Sequence, residues 1–274
     1  LQALDPKYID PYAISAGAAL GFLGIGLGSP GNPHILVRYM SISDAKQLRV
    51  SAVVGTVWNV LMAWGALFIG LAGRAYFPEV EMLPGTDTEN LFPALAQMHL
   101  HPALFGLVVA AIFAAIMSTA DSQLLVATSS VVRDIYDKLM HKDEQIPQRR
   151  LVLYSRLVIV VLVIFALVMG VLAGKLVFWL VLFAWAGLGA SLGPTSILAL
   201  FWKRCTRAGV AAGLVAGAVT TIVWYYIPAL KSALYELIPA FIVGAVATVV
   251  VSLLTQPPPD VDRMMQSMRG KIDE

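Results

Sequence analysis

The chain has 274 residues and a formal net charge of +2; 58% of its residues are hydrophobic and only 13% are charged. That charged share is about half the share found in soluble domains. The composition excludes an ordinary soluble globular protein and indicates an all-α polytopic membrane protein. We expect a lipid bilayer around it and no nucleic-acid partner.

Seven apolar segments are long enough to cross a bilayer, which takes about 20 residues. They are residues 12–28, 51–73, 103–120, 157–174, 176–202, 208–230 and 237–255. One set of connecting segments holds 15 of the Lys and Arg residues and the other set holds 4. Because cytoplasmic loops collect positive charge, this split predicts a cell-membrane protein whose N-terminus is outside and whose C-terminus is cytoplasmic.

The first predicted span carries an unusual interruption. Residues 1–11, read as an external lead-in, start with Leu1 rather than Met and contain no cleavage site, which is typical of a fragment. Residues 26–34 then hold three glycines and two prolines. These residues predict a broken helix, since irregular backbone survives at membrane depth only when it is buried or lines a cavity. The alternative is that the helix simply ends at Gly28.

The later connecting segments have simpler interpretations. Residues 76–101 predict an external loop with a short surface helix at 90–99, and helical spacing continues beyond the third span over 131–140. Small residues recur every three to four positions in 186–193 and 209–217, which favours close helix packing. The single cysteine, Cys205, excludes an intrachain disulfide, and nothing in its surroundings suggests a metal site.

The third span carries a polar stripe inside an apolar helix. Ala115, Ser118, Thr119 and Ser122 share one helix face because residues three and four apart are neighbours. A hard monovalent cation prefers oxygen ligands. Two hydroxyls and the Ala115 carbonyl supply three, and another helix must supply the rest. Alternatively, Ser118 and Thr119 only donate back to carbonyls of their own helix.

Asp121 lies within the same run. A carboxylate in a membrane helix needs a cation, a proton, a partner or water, and the spans offer it no nearby Lys or Arg. We expect Asp121 and Ser122 to be candidates for a second cation, with a protonated or a water-facing aspartate as the alternatives.

Three sequence motifs resemble the sodium/solute symporter family, and most closely its bacterial sodium/proline symporters. The resemblance runs from about residue 12 to about residue 255. Its motifs are Gly31-Asn32-Pro33-His34-Ile35-Leu36-Val37-Arg38-Tyr39, Met117-Ser118-Thr119 with Gln123-Leu124-Leu125, and Ala184-Trp185-Ala186-Gly187 with Gly193-Pro194.

The resemblance implies a LeuT-like fold of two inverted five-helix repeats that bind at the membrane midplane. Residues 12–202 would form the second repeat, 203–255 two additional transmembrane helices, and 256–274 a cytoplasmic tail. The first repeat is missing and is expected from upstream sequence. The resemblance also implies a sodium site formed by Ala115, Ser118 and Thr119 with carbonyls of the first repeat, and in some members a second sodium one turn further along.

The broken helix departs from the proline carriers. They typically read W-G-L-G-Y-F-G-Q-P-H, whereas this chain has Ile25 and Ser29 in place of the tryptophan and the tyrosine. Aromatic rings usually shape a small-solute pocket. Ile25, Ser29 and Pro33 are therefore the solute-binding candidates, and proline is the leading expectation for the solute, with other small organic solutes left open.

The sequence therefore favours sodium-coupled transport of a small organic solute by alternating access. The alternatives are a non-transporting membrane sensor or scaffold and an inactive partial fragment, both keeping the symporter fold. No nucleophile and base pair, metal cluster or phosphate loop is present, so we expect no enzyme activity. We expect no cofactor, only sodium as coupling ion.

Overall fold

The computed structural model describes residues 10, 13–142, 144, 146–173 and 177–270. Within these ranges all regular elements are helical. The chain divides into two compact units, one formed by Leu1–Met62 with Val177–Glu274 and the other by Ala63–Leu176. The predicted external lead-in, residues 1–11, lies outside the described residues except for Asp10, and so do the last four residues of the predicted tail.

Eleven α-helices follow one another along the described chain. They are α1 (Ala16–Gly24), α2 (Pro33–Met40), α3 (Gln47–Tyr76), α4 (Leu91–His99), α5 (Pro102–Ser129), α6 (Gln148–Ala173), α7 (Val177–Phe201), α8 (Arg207–Tyr226), α9 (Pro228–Ala233), α10 (Leu237–Leu254) and α11 (Val261–Gly270). A 3₁₀ helix, Ile25–Gly31, joins α1 to α2, and a π-helix, Ser130–Met140, continues α5.

Several helices start at residues that suit a helix N-terminus. The Ser15 hydroxyl accepts a hydrogen bond from the Ala18 N–H at 3.2 Å, and the Thr206 hydroxyl accepts one from the Gly209 N–H at 3.1 Å. Such caps satisfy backbone donors that have no partner inside the helix. Pro33 and Pro102 open α2 and α5, where the missing N–H of proline costs nothing.

Close helix packing in the first unit rests on small residues, as the sequence predicts. Gly209 and Gly213 of α8 face Ser252 and Thr248 of α10, and Gly217 faces the backbone of Ala190 in α7. Without side chains at these three positions, the helices approach to backbone contact.

Two of the hydroxyls buried along these helices bond to their own helices. Thr248 donates to the Gly244 carbonyl at 2.8 Å and Thr221 to the Gly217 carbonyl at 2.9 Å. Each hydroxyl is thereby satisfied without a partner helix, which removes most of the cost of burying it. Polar residues in this core are therefore compatible with dry packing.

The second unit contains the polar stripe of the third span. The surface helix predicted at 90–99 is present as α4, and the predicted helical continuation over 131–140 is present as a π-helix. Two ion pairs lie along that π-helix: Arg133 to Asp137 at 3.3 Å and Lys138 to Asp134 at 2.9 Å.

Six helices of the described chain are long and apolar enough to cross a membrane. They are α3, α5 with its π continuation, α6, α7, α8 and α10. The chain is thus a polytopic membrane protein. The seventh predicted span, 12–28, coincides with the shorter apolar stretch Ala16–Gly31, so the count of seven spans stays a prediction.

Candidate functional site

The predicted break in the first span is confirmed, and an asparagine side chain stabilises it. The α-helix ends at Gly24, a 3₁₀ helix containing Pro30 follows, and Asn32 is extended before α2 begins. Asn32 is only 2% exposed, and its Nδ2 donates to the Gly28 carbonyl at 2.7 Å. The alternative of a simple helix end at Gly28 does not fit, because helical backbone runs to Gly31 and resumes at Pro33.

Helix α7 packs against the broken segment and stabilises it. Trp185 Nε1 donates to the Ile25 carbonyl at 2.9 Å, which satisfies an acceptor where the α-helix gives way to the 3₁₀ helix. Nearby, the backbones of the two segments touch: a Cβ built on Gly31 would lie 2.6 Å from Gly189 Cα, and one built on Gly28 would overlap the Trp185 indole. Only glycine fits these two positions.

The three solute-binding candidates lie on this broken segment. Ile25, Ser29 and Pro33 are all partly buried. Ile25 also lines a cavity of about 250 Å³ whose wall includes the rings of Trp179, Tyr225 and Tyr235. Ser29 and Pro33 do not line that cavity. A role in solute binding stays a prediction for all three residues.

The oxygens of the predicted sodium site converge on one carbonyl of α5. The Ser118 hydroxyl donates to the Ala115 carbonyl at 3.0 Å, and the Thr119 hydroxyl donates to the same oxygen at 3.3 Å. This is the geometry expected if the two hydroxyls only donate to carbonyls of their own helix. It also places three oxygens side by side, and each hydroxyl oxygen keeps lone pairs for a cation. The arrangement is therefore compatible with both interpretations.

The second-cation candidates lie one turn further along α5. The Ser122 hydroxyl donates to the Ser118 carbonyl at 2.8 Å. Asp121 is exposed within the described part of the chain. The cation candidates belong to the second unit and the solute candidates to the first.

Sequence reasoning did not assign roles to Asn32 and Trp185, although both stabilise the break. A signal for Asn32 was available, since a polar residue directly after Gly31 and before Pro33 suits a helix N-terminus inside an apolar run. No local pattern marks Trp185, because its bond to Ile25 joins residues 160 positions apart.

Comparison with known proteins decides the family. The model of the sodium:solute symporter family matches residues 6–217. The chain belongs to the sodium:solute symporter family. It is 39% identical over 262 residues to the high-affinity proline transporter PutP of Bacillus subtilis, which covers 94% of this chain and 54% of that protein. It is 40% identical over 268 residues to a sodium/proline symporter of Staphylococcus aureus, which covers 93% of this chain and 52% of that protein.

A third relative is also a proline transporter by name. The chain is 34% identical over 260 residues to the osmoregulated proline transporter OpuE of Bacillus subtilis. The chain therefore spans about half the length of the curated symporters it matches. No solved structure matches it significantly.

Trp185 offers a direct test of the break. We expect Trp185→Phe to destabilise the protein by about 1–3 kcal/mol, because the change leaves the Ile25 carbonyl without its donor. We also expect a several-fold higher KM for the solute, because the break loses its lateral support. Thermal unfolding and initial uptake rates measure the two effects.

Trp224→Phe is the matched control. Trp224 is also partly buried in the first unit, and its Nε1 donates to the Leu234 carbonyl at the same 2.9 Å. The control should lose comparable stability with an unchanged KM. Equal changes in KM for both variants would show that Trp185 has no particular connection with solute binding.

Proposed function

We propose that the intact protein couples sodium entry to the uptake of a small organic solute, with proline as the leading solute. Family membership supports the transport class, and relatives named as proline transporters support the solute. The observation that carries the proposal is the triad of oxygens at Ala115, Ser118 and Thr119 in the one helix to which the resemblance assigns the cation.

Sodium binding at this triad requires a small rearrangement of protons. In the structure both hydroxyl protons point at the Ala115 carbonyl. A cation at that carbonyl would repel them, so both O–H bonds would rotate away while their oxygens turn lone pairs to the ion. The change needs only hydroxyl rotation, which makes the helix a ready source of three ligands.

Coupling follows if the remaining ligands lie on another repeat. We propose a LeuT-like arrangement in which residues 12–202 form the second repeat, 203–255 add two helices, and 256–274 form a cytoplasmic tail. Carbonyls of a first repeat would then complete the sodium site. Sodium would favour one conformation of the two repeats. A solute bound at the broken helix would favour the same conformation, so each ligand would raise the affinity for the other.

Uptake into proteoliposomes tests this proposal. We expect an inward sodium gradient to drive concentrative uptake of labelled proline by the intact protein, together with any sequence that precedes residue 1. Replacing external sodium by potassium should abolish the uptake. A panel of unlabelled solutes should compete in proportion to their affinity. Uptake that is independent of sodium would refute the coupling, and no transport of any solute would favour the sensor or scaffold alternative.

We propose Asp121 and Ser122 as ligands of a second cation. If Asp121 binds one, Asp121→Asn should lower the number of charges moved per solute, because the amide is nearly isosteric but carries no charge. The charge-to-solute flux ratio, measured by current and isotope uptake in the same vesicles, checks this. An unchanged ratio with unchanged sodium dependence would leave Asp121 as a water-facing structural residue.

A further inference from the structure

A second cavity lies in the first unit, at the end where α7 stops and α8 starts. Its volume is about 340 Å³, and the connection between the two helices forms one wall. Residues after α10 form the other wall, and Val261 and Met265 of α11 belong to it. The lining residues that matter are Trp202, Lys203, Cys205, Arg207, Val261 and Met265. None of these residues belongs to the proposed sodium or solute sites.

Lys203 and Arg207 line this cavity, Arg204 lies in the same connection, and these three basic side chains are not equally engaged. Lys203 Nζ pairs with Asp262 Oδ1 at 2.7 Å, and the Arg204 guanidinium donates to the Leu253 carbonyl at 3.2 Å. The Lys203 ammonium holds the pKa of Asp262 below its usual value. Arg207 is exposed, and its guanidinium makes no hydrogen bond or ion pair with any residue in the described ranges. Arg207 is thus the cation best placed to receive an anion.

Most of the other lining residues are apolar, and the ends of three candidate membrane helices put the expected membrane interface at this level. Candidate membrane helices α7 and α10 end at this level, and α8 starts here. Trp202, Val261 and Met265 provide hydrocarbon and ring surface beside the charges. The Lys203 to Asp262 pair attaches α11 to the connection between α7 and α8. A cation above an apolar wall at the interface suits an amphiphile rather than a fully hydrated ion.

We propose that this cavity binds an anionic membrane phospholipid, whose phosphate pairs with Arg207 and Lys203 and whose upper acyl chain packs on Trp202, Val261 and Met265. Basic pockets at helix ends recognise anionic headgroups through charge and hydrogen bonding together. The α11 helix would close over the headgroup. Lipid composition would then act on the packing of α7, α8 and α10.

Cys205 is a built-in reporter for this site. It is the single cysteine of the chain, it is partly buried, and it lines the cavity. Burial raises the pKa of its thiol. A lipid seated in the cavity should shield this sulfur from an uncharged alkylating reagent. The rate of alkylation therefore measures occupancy without an introduced label.

The experiment compares alkylation of Cys205 by N-ethylmaleimide in nanodiscs of phosphatidylcholine with and without phosphatidylglycerol. The intact protein is used, and the peptide that carries Cys205 is quantified by mass spectrometry. We expect phosphatidylglycerol to slow labelling with a saturable dependence on its mole fraction. Arg207→Gln should weaken this protection by about fivefold, the factor expected for one basic side chain at an anionic membrane surface. Arg207→Lys should retain most of it.

The control is Lys231→Gln, which removes a basic side chain in α9, beyond the opposite end of the 20-residue helix α8 from Arg207. Lys231→Gln should leave the protection unchanged. Protection that survives Arg207→Gln in full would reflect only the surface potential and would overturn the proposal. Equal protection by inorganic phosphate in phosphatidylcholine nanodiscs would also overturn the proposal, because it would indicate a site for small anions. If Arg207→Gln does not fold, the unsubstituted protein still tests the proposal. Protection of Cys205 that never saturates as the phosphatidylglycerol fraction rises would overturn the proposal.

Discussion

Replacing Ser118 or Thr119 by alanine is expected to lower the apparent sodium affinity of the intact protein, at the proposed site, by about tenfold or more. Each change removes one of the two hydroxyl oxygens that lie beside the Ala115 carbonyl oxygen. A hydrogen bond or ligand contact to a charged partner contributes about 1.5–3 kcal/mol, which corresponds to a factor of ten or more. Solute uptake measured against sodium concentration gives the affinity directly. Maximal rates at saturating sodium should change little.

Ser155→Ala is the matched control for this prediction. The Ser155 hydroxyl also donates to a carbonyl of its own helix, that of Leu151 at 2.8 Å, but it lies in α6 outside the proposed site. Its removal should leave sodium affinity unchanged. If the variants of Ser118 and Thr119 match this control, their hydroxyls only bond back to α5, and the proposed sodium site is wrong.

A single methyl group at Gly217 is expected to lower the thermal midpoint of unfolding by about 5 °C. A Cβ at this position would run into the carbonyl group of Ala190 and lie 3.0 Å from Ser191 Cα. These are backbone atoms, so no rotamer change relieves the overlap, and α7 and α8 must move apart. Overpacking of this kind costs about 1–3 kcal/mol, and each kcal/mol shifts the midpoint by about 2–4 °C in a chain of this size.

Gly187→Ala separates this packing effect from backbone propensity. Gly187 lies in α7, and no atom lies within 4 Å of a Cβ built there. Alanine in a helix interior is favoured over glycine by up to about 1 kcal/mol, so this variant should unfold at the same or a higher temperature. Thermal unfolding of both variants in one detergent measures the difference. If Gly187→Ala lowered the thermal midpoint by as much as Gly217→Ala, the loss would come from replacing glycine in α7 or α8 and not from the contact between the helices.

The sequence predicted those features that depend on local composition. Apolar runs of about 20 residues identified the long helices, because length and hydropathy alone decide whether a segment can cross a bilayer. The glycines and prolines of 26–34 identified the break, because these residues disfavour a continuous helix at their own positions. The spacing of small residues in 209–217 predicted close packing, and the structure shows which atoms those glycines meet.

Features that depend on distant residues were not predictable in the same way. The bond from Trp185 to the Ile25 carbonyl requires the fold to bring two segments together. The π geometry of Ser130–Met140 has no distinct composition, since the same residues suit an α-helix. Ser118 and Thr119 were ambiguous from the start, because one hydroxyl can donate to a carbonyl and present lone pairs to a cation. Sequence spacing is identical for both roles.

The backbone contact between the broken helix and α7 restricts how the first unit can change shape. Gly31 and Gly189 meet without intervening side chains, and Trp185 joins the same two segments by a hydrogen bond. Sliding or hinging between them would break that bond and force backbone atoms together. The break is therefore not a free joint: any swing of the 3₁₀ segment carries α7 with it, and bending must occur elsewhere, as in residues 41–46 between α2 and α3.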